Sequence, residues 1–597
     1  MCSRPNVQRN SIFNNVEPIF KGVRMQPVHE KRWKVRDCDP VDVERLVKGG
    51  VASPLLARLL VNRAVIEPAA ASRFLTSSLA QFHDPFLLLG MERAVDRLAA
   101  AVKKGEKVCV HGDYDVDGIT SVALLLSFFR SVGLDAIYYI PDRLVDGYGL
   151  SADGVARAAD LGAQVMVTVD CGITAVAEAT LCNAAGIDLI VTDHHMPGDS
   201  LPEAYAVINP LQPGCTFPFK SLAGVGVAFN LMIALRSRLR EEGFFAGKEE
   251  PNLREYLDLV ALGTVADVVP LTDENRILVK HGLRELTNSQ RPGVQALKDV
   301  AGVNGDVGCG AVGFRLAPRL NAAGRLENAA MGVELLLCGD RKKAEPLAAA
   351  LDASNAERQA VEREILNDAL AMVKETPALR NRKSIVLASE AWHPGVIGIV
   401  ASRLVDMFHR PTILIALKDG NGKGSGRSIA NFHLHDALNV CFDHLIKFGG
   451  HKHAAGLSIA EETLEAFVAR FDEVAAGLLT AEDLTPLLLI DGELEASEIT
   501  SELVAGLETM KPFGMGNPEP VFLLRDAEVS DCRTLKETHL KMRLNAGCRS
   551  FDAIGFSLAG RAAQGDRLDV VFSPAINVWN GRSSLQLTIK DLRKAGV

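Results

Sequence analysis

The sequence predicts an α/β protein with a parallel-sheet domain, a long connecting helix, a second α/β domain and a C-terminal β-barrel. Short apolar runs alternate with helical patterns through the first half, one uninterrupted helical pattern follows, and short β-rich segments dominate after residue 485. Strands that are separated by helices indicate βαβ units and a parallel sheet. The 597 residues, of which 48% are hydrophobic, provide apolar material for more than one core.

Four β-rich runs define the first domain: 107–110 (KVCV), 136–140 (AIYYI), 165–170 (VMVTVD) and 188–195 (DLIVTDHH). The segment ITSVALLLSFFRSV (119–132) is apolar on all sides and predicts a buried helix, and a further helix is expected near 252–262. Because crossovers between parallel strands are right-handed, the carboxyl ends of all these strands lie on one edge of the sheet, where ligands bind.

Acidic and imidazole side chains follow these strand ends. The stretch HGDYDVDG (111–118) and the ends of the later runs supply candidate ligands, namely Asp113, Asp115, Asp117, Asp170, Asp193, His194 and His195, and GTVADVVPL adds Asp267. An Asp-rich turn alone is more often a solvated loop. Such residues at three successive strand ends instead predict bound cations, because crowded carboxylates repel one another and resist desolvation. Oxygen and imidazole ligands without thiolates favour two Mn²⁺ or Mg²⁺ ions, and the sequence does not choose between these metals.

Several motifs resemble a known family when they are taken in order. DYDVDG, VDCG (169–172), TDHH (192–195) and GTVADVVPL (263–271) are similar to the DHH phosphoesterase superfamily, and GGHKHAAG (449–456) resembles its companion substrate-binding module, DHHA1. The order of RLNAAGR, HPGVIGIVASRL, SGRS and PFGMGNPEPVF resembles the RecJ family of exonucleases from about residue 35 to the end.

This resemblance implies a role for each candidate ligand. It implies that Asp115 and Asp117 each bind one ion, that Asp170 bridges both, and that the second ion is also bound by His194 and Asp267. His195 is then expected to contact the scissile phosphate, and Asp193 is expected to orient the histidines. A histidine at the position of His111 binds metal in related pyrophosphatases, so either His111 or Asp113 remains a candidate for a further ligand.

The second half of the chain is expected to bind the substrate. The pattern over 340–376 predicts a long helix, and an ordinary amphipathic core helix fits this pattern equally well. The resemblance implies that this helix connects the catalytic domain to the DHHA1 domain, which 377–480 resembles. Glycine-rich stretches let backbone N–H groups approach phosphate, and nearby cations add charge. The candidates for binding DNA or phosphate are Arg143, Arg325, Arg427, Gly450, His451 and Lys452. For the arginines, structural salt bridges are the alternative.

Residues 485–597 predict a small barrel, which the resemblance implies is an OB fold. The strand candidates are PLLLIDGEL, HLKMRLN, FDAIGF, LDVVFSPAINVW and SLQLTIKDL, and Asn580-Gly581 predicts a hairpin turn. OB folds hold single strands by stacking and basic grooves, so Lys541, Arg543, Trp579 and Arg582 are candidates, although a buried tryptophan is more common.

The remaining boundaries and the cellular setting follow from composition. Residues 1–34 are expected to be a disordered extension, with Met1 or Met25 as the start, and 35–339 to form the DHH catalytic domain with a helical N-terminal region. The net charge of −9 excludes a generally basic nucleic-acid binder, so a local basic groove is required. The 11 cysteines form no CxxC pair, and no apolar stretch predicts a membrane span, so a reduced, cytoplasmic protein is expected.

The resemblance therefore implies a two-metal exonuclease that degrades single-stranded DNA from the 5′ end in recombination and repair. It also implies a monomer whose partners are a single-strand-binding protein and a helicase. Two alternatives stay open at this point. Shorter relatives hydrolyse oligonucleotides or cyclic dinucleotides but lack the C-terminal barrel. Scaffold relatives at replication forks have lost their metal ligands. This chain has both the predicted barrel and the candidate ligands, which disfavours both alternatives.

Overall fold

The protein is described here by a computed structural model, which covers residues 30–141, 149–326, 329–376, 379, 381–579 and 582–596. Several expectations lie outside the described residues. They are the start of the chain at Met1 or Met25, phosphate binding by Arg143, the hairpin turn at Asn580-Gly581, and DNA contacts by the side chains of Trp579 and Arg582. For Arg325, only the helical backbone is described. Residues 30–34, expected in the extension, are described, and Arg32–Val35 form strand β1.

The first α/β domain is built on a five-stranded parallel sheet in the order β3-β2-β4-β5-β6. Its strands are β2 (Val108–Gly112), β3 (Ala136–Tyr139), β4 (Val165–Val169), β5 (Asp188–Thr192) and β6 (Ala206–Ile208). The parallel sheet predicted from the sequence is therefore confirmed. Strands β2 and β4 are buried along their whole length, which explains their continuous apolar sequences.

Helices cover both faces of this sheet and extend the domain beyond it. They are α4 (Met91–Lys104), α5 (Val116–Ser131), α6 (Ala152–Asp160), α7 (Val176–Ala184), α8 (Gly224–Glu241), α9 (Leu257–Ala266), α10 (Asp273–Thr287), α11 (Pro292–Val300), α12 (Cys309–Ala311), α13 (Ala317–Leu326) and α14 (Ala330–Leu337). Helix α5 is buried almost all round because it packs against both the sheet and helices α8 and α9. A π-helical turn, Val312–Leu316, joins α12 to α13.

One helix of 35 residues, α15 (Arg341–Glu375), joins the two α/β domains. Its first half buries Ala344, Ala348 and Leu351 in the core of the first domain. Its second half buries Ile365 and Val373 in a separate core with the next domain. The helix therefore belongs to two cores, and it fixes one domain relative to the other.

The second α/β domain has a five-stranded sheet in the order β10-β11-β9-β8-β7, in which only β7 and β8 are parallel. Its elements are β7 (Ile385–Ser389), α16 (Ile397–Phe408), β8 (Thr412–Lys418), β9 (Asn421–Arg427), α17 (Leu434–Val440), β10 (Lys447–Gly450), β11 (Ala454–Ala460) and α18 (Leu464–Leu478). The glycine-rich stretch NGKGSGR, which alone reads as a flexible loop, is strand β9, because ladders to β8 and β11 hold both of its sides.

The C-terminal segment forms a barrel that closes where β14 pairs with β17. Its elements are β12 (Leu487–Ile490), β13 (Gly492–Glu493), α19 (Ser501–Glu508), β14 (Phe522–Leu535), β15 (His539–Ala546), β16 (Arg549–Gly555), β17 (Arg567–Trp579) and β18 (Arg582–Lys594). Sequence reasoning missed β14, the longest strand, although its start, VFLL, is apolar. Strand β12 pairs with β1 and so lies outside the barrel ladder.

The N-terminal helices α1 (Pro40–Lys48), α2 (Pro54–Val61) and α3 (Pro68–Thr76) pack mainly on the barrel. Leu46, Leu59 and Leu60 share one apolar core with Phe522 and Phe572 of the barrel strands. The N-terminal helices and the barrel therefore share a single core. Among the described residues, no helix is long and apolar enough to cross a membrane.

Candidate metal centre

Strand register places three aspartates side by side at the carboxyl edge of the first sheet. Gly112, Val169 and Thr192 are paired across β2, β4 and β5. Asp113, Asp170 and Asp193 each follow directly after one of these residues. The sheet thus brings together groups that are up to eighty residues apart in the chain.

The acidic loop after β2 is fixed by backbone N–H groups. Asp115 caps α5, and its Oδ1 accepts hydrogen bonds from the N–H groups of Asp117 and Gly118 at 2.9 and 3.1 Å. The carboxylate of Asp117 accepts from the N–H groups of Gly224 and Val225 at 2.6 and 2.8 Å, at the start of α8. Both carboxylates are therefore oriented by helix N-termini, which favour negative charge.

Asp170 adopts a left-handed backbone conformation with φ of 61°. Its N–H donates to the carbonyl of Thr192 at 3.1 Å, which ties it to the next strand. A Cβ at Gly224 would lie 2.7 Å from both Cβ and Oδ1 of Asp170, so only glycine fits there without displacing this carboxylate. Gly224 therefore positions Asp117 by its N–H and leaves room for Asp170.

The two histidines after β5 are held differently. The Nε2 atom of His194 lies 3.1 Å from Asp170, 3.7 Å from Asp267 and 4.0 Å from Asp117. The Nδ1 atom of His195 lies 2.7 Å from Oδ1 of Asp193, which also accepts the N–H of both histidines. Asp193 thus holds the ring of His195 directly, but it reaches His194 only through the backbone.

These side chains form three overlapping groups whose ligand atoms lie within 4.8 Å of one another. The groups are Asp113 with Asp115 and Asp170, Asp117 with His194 and Asp267, and Asp170 with both histidines. Asp170 occurs in two groups, as expected of a bridging ligand. Among the described residues, His111 occurs in none of them, and its Nδ1 lies 3.9 Å from Sγ of Cys171. The geometry favours Asp113 over His111 as the further ligand.

Burial and mutual repulsion perturb the acidic groups strongly. Burial, together with the charge of Asp115, raises the pKa of Asp117 to about 7. Burial and the charges of Asp117 and Asp115 raise the pKa of Asp267 to about 9, and burial first and then neighbouring aspartates raise the pKa of Asp170 well above its usual range. A cluster of this kind is unfavourable as free carboxylates and favourable around cations.

The histidines are shifted in opposite directions. Burial and then the neighbouring His195 lower the pKa of His194 to about 4, so its ring is neutral and able to bind a metal. Burial opposes charge on His195 too, but the hydrogen bond and the charge of Asp193 prevail and raise its pKa to about 9. The pKa of Asp193 is lowered, because the contact with His195 outweighs burial.

The donor set fits two divalent cations. The Nε2 atom of His194 and the Oδ2 atom of Asp267 are buried, and neither makes a hydrogen bond to the described part of the chain. Buried polar atoms are nearly always paired, so both atoms are suited to bind a cation. The surrounding donors are carboxylate oxygens and imidazole nitrogen, as Mn²⁺ and Mg²⁺ prefer.

A cationic cavity of about 490 Å³ lies on the second α/β domain. Its lining includes Lys423, Ser425, Lys447, Gly449 and Gly456, together with the turn before α16. The lysines provide positive charge, and the glycines expose backbone to a ligand. Sequence reasoning missed Lys447, although it lies two residues before the GGHKHAAG motif.

Arg427 lies beside this cavity, whereas the histidine motif forms the ends of β10 and β11 and the short turn between them. The Nη1 atom of Arg427 donates to Oγ of Ser425 at 3.2 Å, and a Cβ at Gly398 would lie 3.1 Å from Nη2 of Arg427. Gly450 has φ of 137° and no room for a side chain, so a structural need explains this glycine. His451 and Lys452 are exposed on the turn between β10 and β11.

Comparisons with known proteins agree with this architecture. Models of the DHH family N-terminal domain, the DHHA1 domain and the RecJ OB domain match residues 107–264, 381–477 and 490–591. A "Single-stranded-DNA-specific exonuclease RecJ" of Bacillus subtilis (strain 168) is 40% identical over 570 residues, 94% of this chain and 70% of the relative. A protein of the same description from Dickeya dadantii (strain 3937) is 43% identical over 90% of this chain and 96% of the relative.

The chain belongs to the RecJ family. The crystal structure of RecJ in complex with Mn²⁺ from Thermus thermophilus superposes with a TM-score of 0.80 at 34% identity, covering 95% of this chain and 80% of the other. Another RecJ structure from that organism was solved with Mg²⁺. The metals expected from the residues are therefore those found with RecJ proteins, and the C-terminal barrel is confirmed as an OB domain of the RecJ type.

Proposed function

We propose that this RecJ-family chain hydrolyses single-stranded DNA from its 5′ end with two Mn²⁺ or Mg²⁺ ions, in recombination and repair. The convergence of Asp115, Asp117, Asp170, His194 and Asp267 at one sheet edge supports this proposal most directly. A scaffold without activity would not need to maintain such an unfavourable acidic cluster. The OB domain favours a long strand over a dinucleotide as the substrate.

In this proposal, each side chain of the centre has a defined task. Asp170 binds both ions, Asp113 and Asp115 bind one, and Asp117, His194 and Asp267 bind the other. When bound, such an ion pair supplies a nucleophile at neutral pH and neutralises charge on the phosphoryl oxygens.

His195 is assigned to the substrate. Asp193 engages Nδ1 of His195 at 2.7 Å and so orients its ring, and we assign the contact with the scissile phosphate to Nε2 of that ring. The contact with Asp193 also raises the pKa of His195, and a protonated ring at this place would stabilise negative charge on the phosphoryl group.

The cationic cavity and Arg427 are proposed to bind the DNA backbone, with Gly450, His451 and Lys452 beside them. Arg143 and Arg325 are proposed to bind further phosphates. A DNA strand that spans the metal centre and the second domain is recognised by its phosphates, so binding does not depend on the base sequence. A duplex is excluded if the passage between the domains admits one strand only.

Digestion of end-labelled DNA tests this function. With Mn²⁺, a 5′-labelled single strand should lose its label at once as a mononucleotide, whereas a 3′-labelled strand shortens progressively and a blunt duplex persists. Asp170→Asn should abolish cleavage, and Asp160→Asn, an exposed aspartate at the end of α6, should leave it unchanged. Faster cleavage of a dinucleotide than of a long strand, or normal cleavage by Asp170→Asn, would contradict the proposal.

The proposal extends to the cellular setting. The ten described cysteines are free thiols, as in a reducing compartment such as the cytoplasm. We propose a monomer that works with a helicase, which supplies single strands, and with a single-strand-binding protein. Sedimentation and pull-down with the purified partners would test these statements.

A further inference from the structure

The segment before β14 forms a tight turn with an exposed methionine at its tip. Gly514 and Asn517 exchange backbone hydrogen bonds at 2.9 and 3.2 Å, which closes a four-residue turn. Gly516 has φ of 71°, as required at the third position of such a turn. Met515 occupies the second position, and 57% of its surface is exposed.

This turn is docked on the segment that follows the metal ligand Asp267. The N–H of Leu271 donates to the carbonyl of Met515 at 2.7 Å. A Cβ at Gly516 would lie 3.1 Å from Cβ of Pro270, so the two backbones approach closely. The segment before β14 therefore places Met515 beside the loop of the first α/β domain that carries the metal ligand Asp267.

Val268, the residue next to Asp267, is unusual in two respects. Its φ is 61°, a left-handed conformation that β-branched residues almost never adopt. Its side chain is 63% exposed, although it lies beside a half-buried ligand. Strain of this kind persists only where the surrounding structure enforces it, and it concentrates at functional sites.

Polar contacts make the docked turn rigid. Asn517 is fully buried, and its Nδ2 donates to the carbonyls of Met510 and Pro512 at 2.8 Å each. Its Oδ1 accepts from Nε of Arg63 at 2.7 Å. The backbone at Met515 is thus fixed before any substrate binds, so the turn itself loses little ordering entropy on binding.

We propose that Val268 and Met515 form an apolar lip at the metal centre, which contacts the bases of the strand beside the scissile phosphodiester. Neither side chain can bind phosphate, so the lip complements the cationic cavity. Methionine adapts to bases of different shape, which suits a nuclease without sequence preference. The inference rests on the proposed function, because it takes single-stranded DNA as the ligand.

The test compares a normal 5′-phosphorylated oligonucleotide with one whose 5′-terminal residues are abasic. Met515→Ser and Val268→Thr should each raise KM for the normal strand about fivefold, as expected for a lost base contact of about 1 kcal/mol, with little change in kcat. On the abasic strand, variants and wild type should have the same KM. Met515→Leu should restore the wild-type KM, and Leu478→Ser, at an equally exposed apolar residue on α18, should have no effect.

A binding measurement tests the lip separately from the proposed nuclease function. Fluorescence anisotropy without divalent metal gives dissociation constants for both strands and needs no cleavage. The lip is refuted if Met515→Ser binds the normal strand as wild type does, or if it weakens binding to both strands equally. Failure of the wild type to release nucleotides from either strand with Mn²⁺ refutes the proposed function, and the binding comparison still decides the lip.

Discussion

The substitution Gly224→Ala tests how closely the metal centre depends on one missing side chain. The added Cβ would lie 2.7 Å from Cβ and Oδ1 and 2.9 Å from Cγ of Asp170. Carbon atoms in contact normally lie about 3.5–4.0 Å apart, so Asp170 or the start of α8 must move by about 1 Å. A displacement of this size at a catalytic group lowers the rate roughly 100-fold.

The effect on folding should be smaller than the effect on activity. Overpacking of this kind costs about 1–3 kcal/mol, so the variant should remain folded at 25 °C. The assay is the kcat for nucleotide release from a single strand with saturating Mn²⁺, together with the melting temperature.

Gly226→Ala is the matched control, because it lies two residues later in the same helix. Its added Cβ would meet the side chains of Leu222 and Leu278 at 3.2 Å or more, and these side chains can adjust. It should keep nearly full kcat. Equal losses of kcat in both variants, or normal kcat in Gly224→Ala, would refute the proposed link between Gly224 and Asp170.

Two further predictions concern stability. Arg276→Met should lower the free energy of unfolding by about 4 kcal/mol in urea titrations, because the buried guanidinium donates to the carbonyls of Thr509 to Pro512 and to that of Phe74. All five carbonyls would lose this donor, and those of Met510 and Pro512 would keep only their hydrogen bonds from Asn517. The exposed control Arg284→Met should change the free energy of unfolding by less than about 0.5 kcal/mol, and similar values for both variants would contradict this role of Arg276. Glu274→Gln should stabilise the protein more at pH 7 than at pH 4. Burial raises the pKa of Glu274 in the folded state, so the wild type loses stability as the pH rises from the unfolded value through the raised one; a gain that does not depend on pH would contradict this.

Much of the fold and of the metal centre could be predicted from the sequence. Period and turn signals located the strands of the first sheet, and the rule for parallel strands brought their carboxyl ends together. The same reasoning failed for β14, because its polar second half lacks a clean alternation of apolar residues. It also predicted no strand at NGKGSGR, since glycine weakens a strand locally and only pairing on both sides makes β9 a strand.

The sequence alone determined which chemistry is available: carboxylates and imidazoles at the ends of buried strands, for which divalent cations are the fitting ligands. Only the tertiary structure decided how these groups are held. The N–H groups of α8 orient Asp117, Gly224 leaves space for Asp170, and the segment before β14 contacts the loop after Asp267. These contacts join residues that are more than fifty, and in one case more than two hundred, positions apart in the chain. Local sequence patterns do not show which of such distant residues meet in space.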